Sequence, residues 1–216
     1  MTKKYELVLD DTISFWGWKL FRIRALISFG SVEAGDLGGY IQKEENLSHD
    51  DNAWVCGDAK VWGNAEVWGN AKVCGDAKVW GNAKVCGDAK VWGNAEVCGN
   101  AKVCGDAEVC GNAKVWGNAE VWGNAKVCGN AEVCGNAKVC GDAEVSELGD
   151  IIVFKNHWSS GRHFTYTKSN KMWKVGCFYG TGQELIEKAY RDSEKSGNYY
   201  KAYVDFVESL EKISNQ

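Results

Sequence analysis

From Ala53 to Val145, apolar and polar positions follow one six-residue order: Ala, Lys or Glu, Val, Cys or Trp, Gly, Asn or Asp. Steps of six from Ala53 give fifteen full units and a sixteenth that breaks at Ser146. Such a period decides the architecture before any propensity argument. Within Ala-x-Val-x the side chains alternate, so Ala and Val face one side and Lys/Glu and Cys/Trp the other. The unit predicts a four-residue strand followed by a corner. Gly takes a backbone conformation that a Cβ resists, and Asn or Asp, which tolerate left-handed conformations, complete the turn. One such strand cannot bury its own Val and Ala. Stacked layers, roughly 4.8 Å apart, bury them on each other. Three units per coil predict a triangular prism, with residues eighteen apart in register. Small Ala and medium Val suit its narrow interior, and the chain has no proline, as central strands require.

The flanks depart from the pattern. Residues 1–34 hold two alternating stretches, Tyr5 to Leu9 and Lys19 to Ile27, the second with Phe21, Ile23, Ala25 and Ile27 on one face. Phe15-Trp16-Gly17-Trp18 lies between them as a turn. A β-hairpin capping the first coil is predicted, because an open solenoid end presents unpaired strand edges.

Residues 35–154 are assigned to the β-helix. Gly35 to Asn52 keeps the frame in degraded form: Leu37 fits the Val column, Ile41 and Leu47 the Ala column, Asn46 and Asn52 the Asn column. Lys43 and His49 fall in the Val column, where they do not belong. Gly149 to Phe154 keeps the frame once more, with Ile151 in the Val column.

Residues 155–216 predict a small α+β domain, expected also to close the far end of the coil. Strands are predicted over Val153 to Trp158, His163 to Thr167 and Met172 to Phe178. Thr181-Gly182-Gln183-Glu184 reads as a capping box, opening a helix with Leu185, Ile186, Ala189 and Tyr190 on one face. Gly197 is the predicted C-cap. Tyr199, Tyr203, Phe206, Val207, Leu210 and Ile213 then mark a second helix.

The repeat resembles the hexapeptide signature of left-handed parallel β-helices, with Val as the aliphatic and Ala as the small position. That superfamily includes acyltransferases, γ-class carbonic anhydrases and non-enzymatic scaffolds. Left-handedness is implied by the resemblance alone; a right-handed coil and a two-sided twelve-residue solenoid stay open on physical grounds. Gly35-Asp36-Leu37-Gly38-Gly39-Tyr40, followed by Asn46-Leu47-Ser48 and the hexapeptides, resembles a group of uncharacterised bacterial and prophage β-helix proteins. Some of these are labelled transferases on fold similarity. The likeness covers roughly residues 5–150 and supplies no catalytic residues.

Composition narrows the classes. A net charge of −4 gives no electrostatic case for nucleic acid or anionic membranes as partners. There is no apolar run of membrane-spanning length, and the start Met-Thr-Lys-Lys-Tyr-Glu lacks an apolar signal core, so a cytoplasmic protein is expected. Of ten cysteines, nine occupy a position interchangeable with Trp. A disulfide framework does not allow that exchange, so reduced thiols are expected.

Chemistry, if any, must lie on the outward columns or in the flanks. Under three units per coil, one face carries Cys56, Cys74, Trp92, Cys110 and Cys128. The second carries Trp62, Trp80, Cys98, Trp116 and Cys134, and the third Trp68, Cys86, Cys104, Trp122 and Cys140. Aromatic columns on every face suggest a contact surface for a protein partner or for self-association, with Trp62, Trp80 and Trp116 as candidate binding residues. Cys56/Cys74 stack beside Asp58/Asp76, and Cys86/Cys104 beside Asp88/Asp106. Their parallel outward vectors do not converge as structural zinc requires, so neither metal nor cofactor is expected. Disulfides between stacked neighbours are conceivable at that spacing.

Hexapeptide acyltransferases generally use a His and projecting loops, and this repeat has neither. His49 reads as structural. His157 and His163, with Arg162, Lys155 and Lys174, form a candidate anion patch. The leading expectation is a non-enzymatic binding or assembly protein of bacterial or phage origin. The alternatives are a phage counter-defence sponge that holds a nucleotide or other small signal, and a hexapeptide-type acyltransferase.

Overall fold

The structure, a computed structural model, describes residues 3–214. It divides into two compact units, one running to Asp150 and the other beginning at Ile151. The first is a parallel β-solenoid of about six turns with three strands per turn. Its register is eighteen residues: Lys60 pairs with Lys78, Lys78 with Glu96, Glu96 with Lys114 and Lys114 with Glu132. Every repeat Ala is fully buried and no repeat Val exceeds 1% exposure. Through the regular repeats the prism interior is therefore made of Ala and Val alone.

Regular pairing covers two residues per strand, such as Lys60–Val61, shorter than the four expected. The ladder nevertheless extends past them. Lys60 N donates to Ala77 O at 2.9 Å, Trp62 N to Val79 O at 3.1 Å and Asn64 N to Gly81 O at 2.7 Å. The last of these bonds belongs to the corner, so even the turns are bonded from layer to layer.

Only glycine is left-handed at these corners. Gly99 has φ +71°, and a Cβ there would sit 3.0 Å from Gly117 O in the next turn. Among the described residues, the only non-glycine positions at positive φ are Trp16 and Lys171. The corner Asn and Asp thus keep ordinary backbone, contrary to expectation. Their side chains stack instead: Asn64 donates to Asn82, Asn82 to Asn100, Asn100 to Asn118 and Asn118 to Asn136, at 3.0–3.2 Å.

The first coil corrects the predicted frame. Ile41 pairs with Val61, and Leu47 bridges to Val67, both twenty residues on. Ile41 and Leu47 therefore stand in the Val column rather than the Ala column. Two extra residues lie between Leu47 and Val55, and in the corrected frame Lys43 and His49 leave the Val column.

The predicted hairpin is present as β1 (Tyr5–Phe15) and β2 (Trp18–Ala25). β2 pairs antiparallel with β3 (Leu37–Ile41), which starts the parallel stack against Lys60–Val61. Gly39 lets β3 approach: a Cβ there would lie 2.6 Å from Ala59 O. Ile23 and Ala25 are buried as expected, but Ile27 is exposed, because it lies beyond the end of β2.

The start of the solenoid is closed by polar side chains that take up groups with no turn beneath them. Lys4 is 1% exposed, and its ammonium donates to Asp51 O and Ala53 O at 2.9 and 2.8 Å. Burial lowers its pKa, and Asp51 opposes that shift. The fully buried Tyr5 hydroxyl sits 2.9 Å from Glu44 O and 2.8 Å from Leu47 O. Gln42 Oε1 accepts from Gly63 N, and Asp51 Oδ2 from Gly69 N. His49 is structural, stacked on Tyr5 at 4.1 Å.

The second unit is an antiparallel meander of four strands: Ile151–Lys155, His163–Thr167, Met172–Val175 and Phe178–Gly180. Ile151 pairs with Thr167, so the hexapeptide frame does not continue through it. The stretch expected as one strand from Met172 to Phe178 is folded into a hairpin at Gly176. Two helices follow, α1 (Gly182–Asp192) and α2 (Glu194–Ser214). The capping box is present: Glu184 N donates to Thr181 Oγ1 and Thr181 N to Glu184 Oε2.

Gly197 is not a C-cap. Ser193 ends α1, and Gly197 lies inside α2, where a Cβ would meet the Tyr190 ring at 2.2 Å. The core joins Phe164, Tyr166, Trp173, Leu185, Ala189, Tyr200, Val204 and Val207. Phe206 and Ile213, expected on the inner face of α2, are exposed. Among the described residues, no helix is long and apolar enough to cross a membrane.

Candidate binding surface

The outward columns fall on three sheets, as the eighteen-residue register dictates. Lys and Glu in these columns pair along the stack: Lys78 with Glu96 at 3.0 Å, Lys84 with Glu66 at 3.2 Å, Lys90 with Glu108 at 3.0 Å and Lys138 with Glu120 at 2.7 Å. Much of the charge is thus satisfied within the chain. Sequence reasoning missed these ladders, although Lys and Glu eighteen apart were visible in it.

The tryptophans split into two sets. Trp62 is 3% exposed, which corrects its place among displayed residues. Its ring lies parallel to that of Trp80 at 5.1 Å, and Phe15 and Trp16 of the hairpin meet it edge-on at 5.4 and 5.7 Å. Trp16 and Gly17 form the hairpin turn at φ 48° and 81°, a conformation that costs a side-chain-bearing residue about 1–2 kcal/mol. The ring packing of Trp16 over Trp62 and Trp80 offsets that cost. In contrast, Trp92, Trp116 and Trp122 remain exposed at 47%, 43% and 38%, one on each face. Trp122 borders a shallow cavity of about 200 Å³ with Lys102, Cys104, Glu120 and Val121.

The thiols also correct the expectation of a fully reduced set. Cys56–Cys74 and Cys110–Cys128 are disulfides, each with a Cα–Cα distance of 4.6 Å. Neighbouring turns bring eighteen-spaced Cα atoms within disulfide reach without any backbone adjustment. Cys86, Cys98, Cys104, Cys134 and Cys177 are free thiols, and Cys140 is buried and outside both disulfides.

In the second unit the candidate anion patch does not assemble as one site. Lys155 and His163 face each other across two strands, and Thr165 opposes Lys174. By alternation Lys155, His163 and Lys174 share the sheet face opposite Phe164 and Trp173. His157 lies on the helix side, edge-on to Trp158 and Tyr199, with Nδ1 3.5 Å from the Tyr203 hydroxyl. Arg162 is exposed in the connecting loop, and Lys174 is buried.

A feature the sequence did not reveal is a cavity of about 530 Å³, lined among others by Tyr166, Trp173, Gln183 and Glu208. The Tyr166 hydroxyl donates to the Glu211 carboxylate there. Burial first, and then that carboxylate, raise the tyrosine pKa.

The chain matches no model of a known protein family. A comparison with characterised proteins gives no match either.

Proposed function

We propose that the protein is a non-enzymatic binding or assembly module whose solenoid presents a rigid surface to a protein partner or to a second copy of itself. The observation that carries this reading is the persistence of Trp92, Trp116 and Trp122 as exposed side chains on a frame bonded layer to layer. A fixed aromatic on a strand loses little conformational freedom on docking, and exposed aromatics are enriched at interface cores. The paired Lys/Glu columns beside them supply a polar rim. The resemblance to bacterial and prophage hexapeptide β-helix proteins supports such a role without assigning chemistry. The nucleotide-sponge reading has less support, since His157 and His163 lie on opposite sides of the second unit. The acyltransferase reading rests on resemblance alone.

The test combines sedimentation velocity with partner capture, using wild type and a Trp92→Thr/Trp116→Thr/Trp122→Thr variant. Self-association or partner retention in wild type, lost in the variant with its circular dichroism unchanged, supports the proposal. A monomer at all concentrations that retains no partner overturns it.

A further inference from the structure

Nine cysteines fill outward positions of the repeat, and their vertical neighbours sort them. Cys56/Cys74, Cys110/Cys128 and Cys86/Cys104 each stack thiol on thiol at eighteen residues. Cys98, Cys134 and Cys140 have Trp at that spacing in place of a thiol. The structure joins two of the three pairs as disulfides. The third has the same register: the strands carrying Lys84–Val85 and Lys102–Val103 pair in parallel, each followed directly by its cysteine. Cys86 and Cys104 are only partly buried, so a small oxidant reaches them.

We propose that Cys86 and Cys104 form a reversible dithiol–disulfide site, oxidised by a small-molecule disulfide of the glutathione class. One protein thiolate attacks the oxidant's S–S bond, forming a mixed disulfide and releasing one oxidant thiolate. The second protein thiol, deprotonated, attacks the protein sulfur of the mixed disulfide and releases the other oxidant thiolate. The protein loses two hydrogens and the oxidant disulfide becomes two thiols. Burial, and then the neighbouring Cys104 thiol, push the Cys86 thiol up to about 12. The Cys86 thiolate is scarce at neutral pH, so exchange begun by Cys86 is slow there and accelerates as pH rises. Cys104 also lines the Trp122 cavity, so oxidation alters one edge of the proposed binding surface.

The test is thiol counting on the full chain, fully reduced and then equilibrated with glutathione disulfide at rising pH. Non-reducing peptide mapping identifies the pairs. The expected end point leaves four cysteines outside any disulfide, Cys98, Cys134, Cys140 and Cys177, with Cys86 linked to Cys104. Cys86→Ala should retain Cys104 as a fifth thiol, whereas Cys98→Ala should still form the 86–104 bond. An end point in which 56–74 and 110–128 are closed while Cys86 and Cys104 stay free overturns the proposal. So does equal thiol loss in wild type and Cys86→Ala.

Discussion

The solenoid and the C-terminal unit solve the burial problem in opposite ways. The solenoid fills its interior with Ala and Val, small enough that each contributes little alone, and repeats one backbone bonding pattern at every turn. The C-terminal unit gathers Trp173, Phe164, Tyr166 and Tyr200 around one centre. Stability spread over many equal layers tolerates loss of bulk and resists disruption of geometry. Stability held in a few aromatic side chains does the reverse.

The sharpest way to break this contrast is a charge in the prism. Val97→Asp places an unpartnered carboxylate where neither Ala nor Val can answer it, at a cost of at least about 4 kcal/mol. The β signal of the solenoid should be lost in a urea titration while the helical signal of α1 and α2 persists. Helices melting together with the solenoid would contradict the idea of two separately organised cores.

Trp173→Ala is the mirror experiment. Removing this 2% exposed ring should destabilise the C-terminal unit by about 3–5 kcal/mol and leave the solenoid transition in place.

A smaller effect separates backbone strain from crowding. Gly99→Ala forces an L-residue to φ +71° and brings its Cβ to 3.0 Å from Gly117 O. Gly135→Ala imposes φ +65° with nothing within 4 Å. Both should cost the left-handed term of about 1–2 kcal/mol. Only Gly99→Ala should cost more in chemical denaturation, and equal losses would show that the close approach between turns is unimportant.

The smallest effect is electrostatic. The backbone N–H of Thr181, and then its side chain, hold the Glu184 carboxyl below the usual carboxylate range. A depressed folded-state pKa contributes stability that is fully present above the unfolded value and is lost as pH falls through the folded one. Acid titration of helicity below pH 4.5 should show this loss, and Glu184→Gln should flatten it.

Much of the solenoid was legible because each position of the hexapeptide repeats its message fifteen times. The first coil was not, since a two-residue insertion in a degraded stretch leaves no periodic mark. The burial of Trp62 depends on a hairpin from elsewhere in the chain folding over it, which no local pattern encodes. Gly197 carried the composition of a helix end, but its reason is the Tyr190 ring. The disulfides were spelled out in the eighteen-residue spacing, yet the exchange of Cys with Trp at the same position outweighed the geometry. The candidate surface was half legible: Trp116 stands exposed as expected, while the anion patch is divided, with Lys155, His163 and Lys174 on one sheet face and His157 on the helix side.

The eighteen-residue register also governs how this chain can change in length. Deleting one hexapeptide preserves the backbone bonding pattern but rotates the later columns by a third of a revolution, moving each later cysteine and tryptophan to a new side. Deleting or adding three leaves the sides as they were. Growth by whole revolutions is therefore the neutral path for such a protein, and a change by one or two units rewrites its exterior without touching its interior.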